Sequence, residues 1–73
     1  MDENALKELL TREDAEFRRA AEEHQTCERE LEQLRLKSHP TEADAVKERD
    51  LKKRKLALKD RMYQIMQKYG GRP

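Results

Sequence analysis

Between Met1 and Tyr69 the chain contains no glycine and a single proline, Pro40. This scarcity of turning points constrains the fold more than any other feature. Glu, Lys, Arg, Leu, Ala and Gln, all strong helix formers, fill the stretches on either side of the proline. Pro40 biases His39 away from helical dihedrals, so a helix entering this point has to stop before it. Thr41, followed by Glu42 and Asp44, is a fresh N-cap with acids in the first turn, where the helix dipole favours them. Gly70 supplies the next stop, with Lys68 in the last turn. The spacing predicts one helix over about 12–37, a loop at 38–41 and a second helix over about 42–69, each about 40 Å long. A connection this short folds the pair into an antiparallel hairpin. Val46, Ile65, Phe17, Tyr63 and Tyr69 are the whole stock of Val, Ile, Phe and Tyr, which excludes a β-fold.

The apolar spacing agrees with this reading. Leu6, Leu10, Phe17, Ala20, Cys27, Leu31 and Leu34 occupy a and d positions of one heptad frame. Leu51, Leu58, Met62, Ile65 and Tyr69 occupy another. Folded about the loop, Phe17 is expected to face Met62, Ala20 to face Leu58, Leu31 to face Glu48 and Leu10 to face Tyr69. Residues 11–14 carry N-cap signals, with Thr11 or Asp14 as the capping residue. A break or kink there, preceded by a short helical segment containing Leu6, Leu9 and Leu10, is favoured over a helix that runs on. The expected architecture is all-α: a single helical-hairpin domain, coiled-coil-like, spanning residues 1–73.

Charged side chains make up 45% of the chain, yet the formal net charge is +1. Acids outnumber bases in residues 11–37 and bases outnumber acids in 41–69, so two such helices attract one another. The longest apolar runs are too short to span a bilayer. The acidic start and the absence of an apolar stretch behind it predict no secretory signal, and the lone Cys27 agrees with a reducing compartment. A cytoplasmic location is expected, with no membrane association.

The polar exceptions on the two seams pair across the fold. His24 arrives level with Lys55, flanked by Cys27, Glu23 and Glu28, and Lys55 is expected to extend to Glu28 or Glu23. Polar residues at such positions fix register in coiled coils. His24 and Cys27 lie one turn apart and could offer two soft ligands to zinc, but a structural site needs four. Nucleophilic chemistry by Cys27 needs a pocket and an oxyanion hole, which a two-helix hairpin does not supply. No catalytic residue, metal ligand, cofactor or small-molecule substrate is therefore expected, and the layer of His24, Cys27, Glu28 and Lys55 is read as structural.

Two surface features point outward. The basic run on the second helix includes Lys52, Lys53, Lys59 and Arg61, a candidate nucleic-acid face. No aromatic interleaves it, and most such runs are solvated helix faces. Leu56, Tyr63 and Met66, with Leu36 near the loop, form a second apolar set off the seam, Leu56 and Tyr63 about a third of a turn from Leu51. A thin two-helix core is marginal alone, and self-association or a protein partner would bury this stripe. The terminal Gly70-Gly71 pair is better read as a helix stop than as a conjugation tail, since Arg72 and Pro73 follow it.

Phe17, Glu23-His24, Glu28, Leu31 and Leu34, with the stretch from Leu51 through Lys52, Lys53, Arg54, Lys55, Leu56, Ala57, Leu58 and Lys59 to Asp60, resemble the YdcH-like family of small bacterial proteins. The resemblance covers roughly residues 6–66. It implies a helical hairpin of bacterial cytoplasmic origin with no assigned activity. Cys27 stands where the family more often has Leu, which speaks against a catalytic Cys as a family trait. Ala15 stands where a Pro commonly opens the first long helix. The expected function is that of a non-enzymatic protein–protein interaction module, self-associating or docking on a partner; the alternative is a nucleic-acid- or ribosome-associated protein.

Overall fold

A computed structural model of the chain describes residues 2–70. These residues form three helices and no strand: α1 (Glu3–Glu13), α2 (Ala15–Arg35) and α3 (Glu42–Lys68). Gly71, Arg72 and Pro73, the remainder of the tail considered above, lie outside the described residues.

The expected two-helix arrangement is corrected at Asp14. The break anticipated within residues 11–14 is there, but it separates a full helix of 11 residues from α2. Asp14 is the entire joint. Its backbone is extended, with φ −120° and ψ 112°, while its N–H still donates to the Leu10 carbonyl at 2.8 Å and closes α1. Its carboxylate accepts from the Phe17 N–H at 2.8 Å and opens α2, so one side chain satisfies an end of the second helix while the backbone releases the first. Arg18 strengthens the corner by donating to the carbonyls of Thr11 at 2.9 Å and Arg12 at 3.2 Å, two acceptors that the end of α1 leaves free. Thr11 is not the cap; it lies inside α1 and its hydroxyl donates to the Lys7 carbonyl.

The other boundaries also shift slightly. The first long helix ends at Arg35 rather than 37, and the connection is residues 36–41. The physical reason is that Leu36 is 74% exposed, so no packing holds another turn. Lys37 instead reaches forward, and its ammonium donates to both carboxylate oxygens of Asp44 at 3.0 Å. Asp44 is also half of a capping box: Thr41 Oγ1 accepts from the Asp44 N–H at 3.1 Å, and the Asp44 carboxylate accepts from the Thr41 N–H at 2.9 Å. These donors hold the Asp44 carboxyl below its ordinary pKa, the Thr41 N–H first and Lys37 next. At its far end α3 stops at Lys68, and Gly70 has a φ of +111°, a left-handed conformation that an L side chain rarely adopts.

The main apolar cluster draws on all three helices: Leu6 and Leu10 from α1, Phe17 from α2, and Ile65 and Met66 from α3, with Ala21 and Met62 packed against it. Phe17 and Leu10 are the most completely buried large side chains, each 1% exposed. The first heptad frame is thus inward-facing, with Leu6, Leu10, Phe17, Ala20, Cys27 and Leu31 all buried and Leu34 half-buried. Its unbroken phase, however, runs across a broken helix. Leu10, expected to face Tyr69, sits in the cluster, while Tyr69 is 57% exposed and donates its hydroxyl to the Asp14 carboxylate at 2.9 Å. That bond, after the Phe17 N–H, holds the Asp14 carboxyl below its usual range and pushes the Tyr69 phenol up.

Side-chain pairs link α2 to α3, and the first two run in the order of helices folded back on each other. Glu16 pairs with Arg61, Glu23 with Arg54 at 3.2 Å and Glu28 with Lys55 at 3.6 Å. The Cα envelope measures 45 × 19 × 18 Å. No described helix is long and apolar enough to cross a membrane.

Candidate functional site

The outer face of α3 exposes two large apolar side chains. Leu56 is 61% exposed and Tyr63, two turns further on, is 55% exposed. Seven residues on an α-helix return to nearly the same bearing, so the two project side by side. The third member expected on this stripe, Met66, is placed elsewhere: it is buried at 6% in the main cluster. The reason is α1. A two-helix packing gives α3 one inward face, whereas a third helix laid beside it gives α3 a second, and Met66 lies on that second face.

Leu56 and Tyr63 border a groove of about 340 Å³ whose other walls are Glu3 and Lys7 of α1, His24 of α2, and Met62 and Met66 of α3. Lys59 and Asp60 complete its rim. The groove exists because α1 covers only part of the length of α2 and α3. Where α1 begins, at Glu3, the three-helix packing ends. His24 lies at this junction. Its Nδ1 is 3.9 Å from a Glu28 oxygen, and its Nε2 is buried without a hydrogen-bond partner.

The structure places the four residues of the polar layer at different depths. Cys27 is buried, His24 and Lys55 are half-buried, and Glu28 is exposed. Glu28 stands between the other two charged or polar groups, 3.9 Å from the His24 ring and 3.6 Å from the Lys55 ammonium. The layer is therefore a bridge at the edge of the α2–α3 contact rather than a polar centre enclosed on all sides. Among the described residues, no group of three or more His, Cys, Asp or Glu side chains is placed to hold a metal ion.

The basic run of α3 is divided by its pairing. Arg61 and Arg54 are drawn to acids of α2, Lys52 lies 3.4 Å from Glu48 one turn back, and Lys55 bridges to Glu28. Lys53 and Lys59 are exposed and enter no ion pair with a described residue within 4.0 Å. Of the four residues of the candidate nucleic-acid face, two thus project freely and two are engaged with carboxylates. Sequence reasoning could not find the groove, because its α1 wall depends on how far α1 folds back. Glu3 and Lys7 looked like ordinary solvated helix residues, and they do pair with each other at 3.6 Å.

No curated protein and no solved structure matches the chain. Among family models, the one described as "Protein of unknown function (DUF465)" matches residues 17–66, about two thirds of the chain. The match begins at Phe17 rather than near residue 6, so it takes in α2 from its third residue, the connection and most of α3, and leaves α1 outside. The chain belongs to the DUF465 family, which includes the YdcH-like proteins and has no assigned function.

Proposed function

We propose that this chain is a non-enzymatic helical interaction module of the bacterial cytoplasm, in which an antiparallel α2–α3 hairpin, coiled-coil-like in its heptad seams, presents the outer face of α3 to another protein surface. The observation that carries this reading is the pairing of Leu56 and Tyr63, both more than half exposed, beside a groove with two buried or half-buried methionines in its wall. Methionine is unbranched and adapts to irregular neighbours, and tyrosine supplies a large contact area with a polar tip. Apolar side chains that border a groove in this way mark contact faces more often than isolated surface apolars do.

Placing a photo-crosslinking amino acid at position 63, and at the solvent-facing position 53 as a control, tests the proposal in living cells. The expected result is protein adducts from position 63 and few from position 53. Absence of protein adducts from position 63 would overturn it. A second reading, phosphate binding on the face around Lys52, Lys53, Lys59 and Arg61, draws support from the free projection of Lys53 and Lys59. A titration with RNA and DNA at low ionic strength separates the two, since contacts to phosphate weaken steeply with salt.

A further inference from the structure

We infer that the partner seated on the groove of Leu56, Tyr63, Met62 and Met66 is a second copy of this chain, related to the first by a two-fold axis. This inference rests on the interaction-module reading and names its partner. Two independent observations carry it, one of area and one of charge.

The chain exposes 5915 Å². A compact monomer of 8.7 kDa is expected to expose about 4700 Å² by the scaling of folded proteins. A body 45 Å long and under 20 Å across accounts for part of this excess of roughly 1200 Å². A standard interface removes about 600 to 1000 Å² from each partner. One two-fold contact along α3 therefore removes about half or more of that excess. A contact confined to a short peptide would leave most of the excess in place.

The rim of the groove carries two acids, Glu3 and Asp60, and two bases, Lys7 and Lys59. An isologous interface sets each patch against itself, so it needs both signs in balance. A patch evolved for phosphates would instead be one-sided in charge, and so would a patch for an acidic or a basic peptide. Under this inference a copy turned over by the two-fold sets these bases against these acids, with Glu3 and Lys7 exchanging their 3.6 Å pairing within one chain for contacts across the axis, and Leu56 and Tyr63 of both copies cover the methionines. The other exposed large apolars, Leu36, Val46 and Tyr69, do not line the groove.

Sedimentation equilibrium of the full chain over a wide concentration range, with Leu56→Glu and Tyr63→Glu as groove variants and Val46→Glu as the control, tests this. The native chain is expected to dimerise. Each groove variant should weaken the dimer by roughly tenfold or more, and the control should leave it within about twofold. Circular dichroism should show monomer helicity retained, because all three positions are exposed; Leu56→Ser is the milder variant if glutamate disturbs α3. A native chain that stays monomeric throughout overturns the inference, as does a dimer that survives both groove variants or one that Val46→Glu disrupts equally. If the chain is monomeric and position 63 still crosslinks to a different protein, the module reading stands and only the second copy is lost. If the chain is monomeric and position 63 captures nothing, both fall. Salt-sensitive RNA binding that Leu56→Glu abolishes would also overturn the inference, assigning the groove to nucleic acid.

Discussion

The two ends of this molecule are built from the same kind of sequence and reach different densities of packing. At the end where the termini meet, α1, the start of α2 and the last turns of α3 bring Leu6, Leu10, Phe17, Ile65 and Met66 into one cluster. Toward the connection, only α2 and α3 remain. There Cys27 and Leu31 are buried on α2, while Leu51 opposite them is half-buried and Val46 is 48% exposed. Two things differ between the ends. Toward the connection the α3 seam is more polar, with Glu48 and Lys55 on it, and there are fewer neighbouring helices: a side chain between two cylinders always keeps an open flank, and a third cylinder closes it. Lateral cover from α1 reaches only as far as His24.

Several measurements would break or sharpen this contrast. The largest expected effect is at the closed end, where Phe17→Ala removes the biggest buried side chain and should cost about 3 to 5 kcal/mol. For a chain this small, such a loss should appear as a broad, low-temperature melt by circular dichroism. At the open end, Leu31→Ala should cost about 2 kcal/mol, the low edge of the range for buried leucines, because the side chain already borders solvent. If urea unfolding gave Leu31→Ala the same penalty as Leu10→Ala, the distinction between the ends would be lost.

Smaller effects follow. Thr41→Ala removes one half of the capping box at the start of α3 and should cost about 1 kcal/mol, measured in the same way. Lys55→Leu exchanges a partly exposed ion pair with Glu28 for apolar contact, and should move stability by less than about 1 kcal/mol in either direction. A loss well beyond that would identify the His24, Glu28 and Lys55 bridge as a real stabilising layer. Acid should act at both ends, through one carboxylate at each. Asp14 and Asp44 both have depressed pKa values in the folded chain, so the stability they contribute is complete above the unfolded value near 3.9 and is lost as pH falls through the lower folded values. Asp14→Asn, which keeps a capping acceptor but no charge, should make an acid titration of helicity shallower below about pH 4. An unchanged titration would show that Asp14 contributes through its hydrogen bonds alone.

Much of the fold was legible in the residues, for local reasons. Pro40 and Thr41 marked the start of α3 to the residue, because a proline's steric effect and an N-cap act within a single turn. Gly70 marked its end for the same kind of reason. The break at Asp14 was legible as a cap signal, though not that it opens a corner between two packed helices. The heptad frame concealed it, since Leu6 and Leu10 keep the phase of Phe17 whether α1 continues ahead of α2 or folds back beside it. The candidate surface was half legible: Leu56 and Tyr63 were expected on an outer stripe and are there, whereas Met66 is not. The division of the basic run was invisible, because pairing of Arg54 and Arg61 with Glu23 and Glu16 depends on which carboxylates α2 brings opposite them.

The sequence by itself determined that this chain is helical, where α3 begins and ends, and which residues of α2 face inward, since these follow from propensity, capping and the 3.6-residue period. Tertiary structure alone decided that α1 doubles back over one end, that Met66 is buried while Leu56 and Tyr63 are not, and that a groove opens where α1 begins. Local rules act over a turn or two of helix, but burial depends on what lies across the molecule. Here that is set by a single corner at Asp14, whose dihedrals no periodicity encodes.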